Sequence, residues 1–449
     1  MMKLNVYLKV LFSFFIFLMP FHALLITTLK CRFWIDTNLL RFWKEIFVIV
    51  LLWITLLDLY NKKTKISSLL KWNYLVWLTI TFIICSLIFI GFPYLEFKVS
   101  NFLWFKYDVF FLFCMLIWIY LNFVRENFNL MLKTILISWF VSIVIFLPWY
   151  LFWDISSLSD IFWYSAKVST YKANACISFA QNVNGQHRFQ WTFWWPITFS
   201  IFLVIFYLIY LGYILKEKII NFKLKLVYIL VPSLFVILSI FFSYSKTSIL
   251  WLAFWLSVFF YLAMKYVFKK SLKKSQLYYI YWFLFIVVIW IVIVKRDLFL
   301  HPEAILNRLE NLSRSLEMFG YNPVWYGLWV AWPASQVWRS IESLWNWQIL
   351  AQSTSAIAVF LPENWYVQIL LEEWIFGFSI FVSLFLVLWF TLFRWVKSKK
   401  DFFSIWIFSS FVSICFMALF CHAFEDAWTV YPFFMIIWAY IANNIKINS

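Results

Sequence analysis

The residues best suited to chemistry lie in a few polar segments of an otherwise apolar chain. At 361–378 the sequence reads LPENWYVQILLEEWIFGF. Pro362 ends a polar connection, Glu363 and Asn364 follow, and Gln368, Glu372 and Glu373 continue into an apolar run. Asn364, Gln368 and Glu372 recur at helical spacing, so a helix puts them on one stripe. Such a stripe near the end of an apolar helix faces protein or water in preference to lipid, which leaves two readings, ligand-facing or helix-packing. At 181–200, QNVNGQHRFQWTFWWPITFS, the fixed cation is Arg188. Its guanidinium suits a phosphate through two parallel hydrogen bonds, or else anchors the chain at an interface. Lys246, in the turn SYSKTS between apolar stretches, has a partner or a task there, or snorkels to the interface. Segment 301–336 opens amphipathically with Arg308 and Arg314, which fall on different sides of a straight helix and have Glu310 and Glu317 as alternative partners. At 421–428, CHAFEDAW, His422, Glu425 and Asp426 are of the types that serve as acid, base or cation ligand.

The elements that must position these groups are read from composition. The chain has 449 residues, 65% hydrophobic, 25% aromatic and 13% charged, which excludes a soluble globular enzyme. Apolar runs of about 20 residues recur throughout, enough to cross a ~30 Å hydrocarbon core. They predict an all-α polytopic membrane protein, a single integral membrane domain over 1–449, with about 12 transmembrane helices. The spans fall at 5–27, 44–60, 72–92, 108–124, 130–151, 196–215, 226–243, 248–268, 277–295, 366–392, 402–420 and 429–444. The first is long and has no small-residue cleavage site, so it reads as a retained helix. Basic residues (Lys62, Lys63, Lys65; Arg125, Lys133; Lys216, Lys218, Lys223, Lys225; Lys269, Lys270, Lys273, Lys274; Arg394, Lys397, Lys399, Lys400) fall in alternate connections. Those connections, and both termini, are therefore expected on the cytoplasmic side. The two long connections, 152–195 and 296–365, are expected outside the cytoplasm, where a membrane enzyme keeps its chemistry. The net charge of +17 is scattered between spans and forms no groove, so no nucleic acid is expected as a partner. The six cysteines show no paired spacing, so neither a disulfide framework nor a metal site is read from them, and no cofactor is expected.

One composition figure is unusual. The chain holds 6 glycines and 31 tryptophans, where usual glycine usage gives roughly 30 in this length. Some tryptophans thus look like displaced glycines, an exchange produced when UGA is translated as Trp in a lineage that decodes it as glycine. Aromatic belts at the membrane interface are the competing account. With Trp191, Trp194 and Trp195 read as glycine, the stretch after Arg188 becomes RFQGTFGGP, a tight turn into a helix. NPVWYGLWVAWP, with Trp325, Trp329 and Trp332, becomes a glycine-rich loop whose amides suit an anion. Trp365 and Trp374 complete the eight positions expected to be glycine.

At 361–378 the sequence resembles the O-antigen ligase and O-antigen polymerase family of bacterial envelope enzymes. That family carries His with Asn, Ser or Gln, then nine residues, Gly, two more, and Gly, Thr or Tyr. Here Glu363-Asn364 stands for the pair, Trp374 falls on the first glycine and Gly377 on the last position. Arg188 in RFQWTFWWP is similar to the family's outer-loop Arg, with Ile197 in place of an Asn. SYSKTSIL is similar to its Ser-Arg turn with Lys246 for Arg, and NPVWYGLWVAWP to its Asn-Pro glycine-rich loop. The resemblance spans 160–392, and the motifs occur in family order. It implies metal-independent, inverting transfer or polymerisation of an undecaprenyl-pyrophosphate-linked oligosaccharide onto a glycan or lipid acceptor. The reaction would lie on the extracytoplasmic face of a multi-pass inner-membrane protein, with the lipid bilayer as partner. It further implies catalytic roles for Glu363 and Arg188, and contacts to pyrophosphate or glycan from Arg188, Lys246, Arg308, Arg314, Asn364, Gln368 and His422. Preorganised cations would stabilise the departing pyrophosphate, and Glu363 would take the proton of the acceptor hydroxyl. Such a site requires Arg188 and Lys246 within about 20 Å of each other. The alternative class is a lipid-linked oligosaccharide flippase or other secondary transporter, which calls for charges inside several helices and a pseudo-symmetric repeat.

Overall fold

The computed structural model describes residues 2–33, 35, 42–61, 74–91, 109–117, 127–152, 182–183, 186–187, 196–216, 222–243, 246–267, 302–321, 364–419, 424 and 427–444. Nearly all of these are helical, and the helices fall on the apolar stretches of the sequence, the amphipathic helix Pro302–Tyr321 excepted. α1 (Met2–Leu18) and α2 (His22–Phe33) are joined by a 3-10 turn, Met19–Phe21. α3 (Trp43–Asn61), α4 (Tyr74–Gly91) and α5 (Phe128–Phe152) follow. α6 is Pro196–Lys216 and α7 Phe222–Phe242, while α8 (Lys246–Leu262) ends in a π-helical turn, Ala263–Val267. α9 (Pro302–Tyr321) lies in the second long connection. α10 (Trp365–Glu372), α11 (Trp374–Lys399), α12 (Phe402–Met417) and α13 (Ala427–Asn444) complete the described order. In the first long connection Asn182–Val183 pairs antiparallel with Gln186–His187. The expected span 277–295 lies outside the described residues, as does most of the two long connections.

Two stretches read as single helices are broken. In 5–27, Pro20 falls inside the 3-10 turn, because a proline ring clashes with the preceding helical turn and lacks the N–H to continue it. In 366–392 the break lies between α10 and α11, where Trp374 takes φ 56°. Elsewhere the ends follow local chemistry. α6 opens with Pro196, whose fixed φ suits the first helical position. Asp401 caps α12 by accepting a 2.7 Å bond from the Ser404 amide.

α12 is the centre of the packing. Its residues from Phe403 to Ile414 are buried on every face, as its uninterrupted apolar sequence requires. α6 runs antiparallel along it, with Ser410 Oγ donating to the Ile205 carbonyl at 3.4 Å. α13 lies on another side, where Ser404 Oγ and Tyr440 OH are 2.6 Å apart. α8 stacks Phe259 on Trp406, and α11 brings Phe385 to Phe411 at 5.6 Å between ring centres. α4 packs antiparallel on α11, Phe82 facing Phe381. On the outside, large apolar side chains stand exposed at helical spacing, for example Trp53, Leu56 and Leu57 on α3 and Leu230, Leu234 and Ile237 on α7. Two segments, Phe199–Lys216 and Trp374–Lys399, are long and apolar enough to cross a membrane.

Candidate functional site

The C-terminal end of α12 is where the polar segments gather. Two hydrogen bonds fix the start of α10 there. The Trp365 amide donates to the Ala418 carbonyl at 2.9 Å, and Tyr366 OH donates to the Cys415 carbonyl at 2.7 Å. Phe424, 1% exposed, lies beside α10. The start of α6 reaches the same end, because it runs antiparallel to α12. Ser200, one turn inside α6, accepts a 2.6 Å hydrogen bond from Ser248, one turn inside α8. The first residue of α8 is Lys246. The N-termini of α6, α8 and α10 therefore share one end of the bundle, and α9, which carries Arg308 and Arg314, packs against α10.

Helix N-termini present unpaired N–H groups and the positive end of the backbone dipole, which favours anions. At α10 two of these amides are already used. Asn364 Oδ1 accepts from Tyr366 N at 3.0 Å and Val367 N at 3.2 Å. Asn364 is thus a helix cap, and the cap leaves its amide hydrogens for other acceptors.

Below the cap, the expected stripe is present and buried. Gln368 and Glu372 are both 0% exposed, and Gln368 Nε2 donates to Glu372 Oε2 at 3.2 Å. Glu373 turns to the other side of the break, where its Oε1 accepts from Ser86 Oγ of α4 at 2.7 Å. Its Oε2 has no hydrogen-bond partner among the described residues. A Cβ added to Gly377 would lie 2.6 Å from Glu373 Cβ and 3.0 Å from Oε2, so this glycine makes room for the carboxyl. Sequence reading singled out neither Ser86 nor its pairing. One serine inside the apolar run 74–91 is an ordinary event, and nothing local points to a partner 287 residues away.

The opposite end of the bundle is basic. Lys399 hydrogen-bonds Asn444 Oδ1 and lies 5.0 Å from the centre of the Tyr440 ring. Lys216 sits 5.2 Å over Phe403, Lys397 4.6 Å over Phe393, and Lys400 ends α11. Lysines near the α6 and α11 C-termini also complement the negative ends of those helix dipoles.

Of the eight sequence-selected site residues, the structure places Asn364 at the cap, Gln368 in the buried stripe, Lys246 at the first position of α8, and Arg308 and Arg314 on α9. Arg188, Glu363 and His422 lie outside the described residues, as do Trp191, Trp194, Trp195, Trp325, Trp329 and Trp332 among the expected glycines. Glu363 directly precedes the Asn364 cap in the chain, and His422 is two residues from the buried Phe424. Among the described residues there is no group of three or more His, Cys, Asp or Glu side chains that could hold a metal ion. Compared with known proteins, the sequence matches no protein-family model and no curated protein.

Proposed function

We propose that this chain is a multi-pass inner-membrane glycosyltransferase that takes an oligosaccharide from an undecaprenyl pyrophosphate on the extracytoplasmic side and joins it to a glycan or lipid acceptor. The observation that carries the reading is the shared position of the α6, α8 and α10 N-termini at the end of the bundle opposite Lys397, Lys399 and Lys400. The basic end corresponds to the cytoplasmic side under the positive-inside rule. The exposed apolar faces of α3, α4, α7 and α11 support a lipid setting, since soluble monomers rarely expose contiguous apolar faces of this extent. A lipid-linked pyrophosphate keeps its tail in the bilayer and its head at the outer end, where the loop carrying Arg188 leads into α6 and Lys246 opens α8.

The reaction balances without a further reactant. The acceptor hydroxyl attacks the anomeric carbon from the face opposite the pyrophosphate, the new C–O bond forms, and the bond from carbon to pyrophosphate oxygen breaks with inversion. The electron pair leaves on the pyrophosphate, which Arg188, Lys246 and the helix N-termini stabilise. The hydroxyl proton passes to the Glu363 carboxylate. Arg308 and Arg314 contact the donor from α9, while Asn364, Gln368 and His422 contact the glycan.

The test is transfer in proteoliposomes from a synthetic polyprenyl-pyrophosphate oligosaccharide. Arg188→Ala is expected to lower turnover by about 10²–10³-fold, as loss of one oriented donor does. Glu363→Gln is expected to remove activity together with its dependence on pH. Full activity in both variants overturns the site. Donor translocation by the protein without any transfer product moves the chain to the transporter class.

A further inference from the structure

We infer that the native polypeptide carries glycine, and not tryptophan, at position 374 and at the five tryptophan positions buried among the described residues, 139, 255, 365, 406 and 438. The inference rests on backbone geometry and packing and is independent of the proposed reaction. Three unrelated observations converge on it.

The first is a dihedral angle. Trp374 stands at φ 56° between α10 and α11. An L side chain in that region crowds its own carbonyl oxygen, whereas glycine enters it freely. The only other described non-glycine residue with positive φ is Lys400, which ends a helix, a position where left-handed backbone is common. Trp374 stands just past the α10 cap Glu373, the position after a helix where left-handed backbone is usual and is most often met by glycine.

The second is a distance. A Cβ added to Gly212 of α6 would lie 2.6 Å from Trp406 Cβ and 2.2 Å from Trp406 Cδ1 on α12. The two backbones are thus as near as helices come when small residues face each other. The indole at 406 is wedged between Gly212, which its Cδ1 and Cγ overlie, and Phe259, 3.5 Å between ring centres at 19°. Positions 406, 410 and 413 form one helical stripe on α12. Ser410 faces α6 and position 413 is also serine, so glycine at 406 completes a run of small residues where α6 crosses.

The third is an unmet hydrogen bond, repeated. Trp139, Trp255, Trp365, Trp406 and Trp438 are each at most 1% exposed. In all five the indole Nε1 has no hydrogen-bond partner among the described residues. Buried Trp N–H groups usually find one, as Trp43 does by donating to His22 Nδ1 at 2.5 Å. Five unmet donors in one core, in a chain with 6 glycines and 31 tryptophans, follow directly if those positions hold no indole.

The chemistry of the exchange is a single decoding event. The codon UGA, read as Trp in one variant code, is read as glycine in another, so every affected position changes together. The experiment reads the codons at the six positions in the gene and sequences the corresponding peptides of the native protein by mass spectrometry. UGA codons and glycine-mass peptides at all six are expected. UGG at 374 or 406 overturns the inference. A second measurement asks the same of the protein itself. The chain as written and a form with Gly at the six positions are expressed in an ordinary host and melted in the same detergent. The glycine form is expected to melt higher and to be recovered as a single species, and a glycine form that melts at or below the other overturns the inference. Neither measurement reads glycosyl transfer, so an inactive but correctly decoded protein counts against the proposed function alone.

Discussion

The α6–α12 crossing and the α10–α11 junction both ask the backbone for something only glycine supplies easily, and they ask for different things. At the crossing the demand is room. Gly212 meets it, and a methyl there would sit 2.6 Å from the Cβ across the interface. At the junction the demand is a dihedral angle, and Trp374 stands where no side chain is favoured. Steric room is a property of two helices together, while a left-handed φ belongs to one residue. A substitution at the crossing therefore shifts whole elements, and one at the junction relaxes locally.

The largest effect separating the two is expected at Gly212. In the chain as written, Gly212→Ala drives a methyl into the residue at 406 and is expected to cost about 3 kcal/mol or more, the upper range for overpacking, seen as a fall in unfolding midpoint in detergent. A loss below ~1 kcal/mol would mean that the crossing yields easily. Next, in the chain as written, Trp374→Gly is expected to be more stable than Trp374→Ala by ~1–2 kcal/mol, the usual cost of left-handed backbone in an L residue. Equal stabilities would remove the dihedral from the comparison. Ser86→Ala, which takes the hydrogen bond from buried Glu373 Oε1, is expected to cost about 1–2 kcal/mol, because a buried acceptor loses its donor. Asn364→Ala removes an N-cap and is expected to cost about 1 kcal/mol, with Asn364→Asp or Ser restoring most of it. The smallest effect belongs to Lys400. Lys400→Gly relieves the same angle at an exposed helix end but gives up a cation near the α11 C-terminus, so its gain is expected below ~1 kcal/mol.

The sequence marks the helices well because apolar length is a local property, and α3, α4, α5 and α6 lie where hydropathy puts them. The Gln368–Glu372 pair was legible from helical spacing, and the bond between them is there. The proline break at Pro20 and the junction at Trp374 were missed by a reading that counts apolar residues, since neither changes hydropathy. The contact of Ser200 with Ser248 and the docking of Trp365 on Ala418 join segments far apart in the chain. Such contacts depend on which helices become neighbours, and periodicity along one helix carries no information about that. From the family's residue pair and from its stripe with Gln368 and Glu372, Asn364 is expected to bind the glycan. Its oxygen is engaged in capping, a use that the pattern of Asn before an apolar helical run equally supports.

The burial of α12 on all sides has a consequence for how the protein is made. The face of α6 that holds α12 is synthesised long before its cover, since Ser410 and its partner Ile205 are 205 residues apart. At ordinary translation speeds that interval is roughly 10–40 s. Throughout it, the innermost surface of the finished bundle stands without its cover. The central crossing of this molecule thus closes late, and a ribosome that stalls within the interval leaves a half-built bundle whose most exposed surface is its future core.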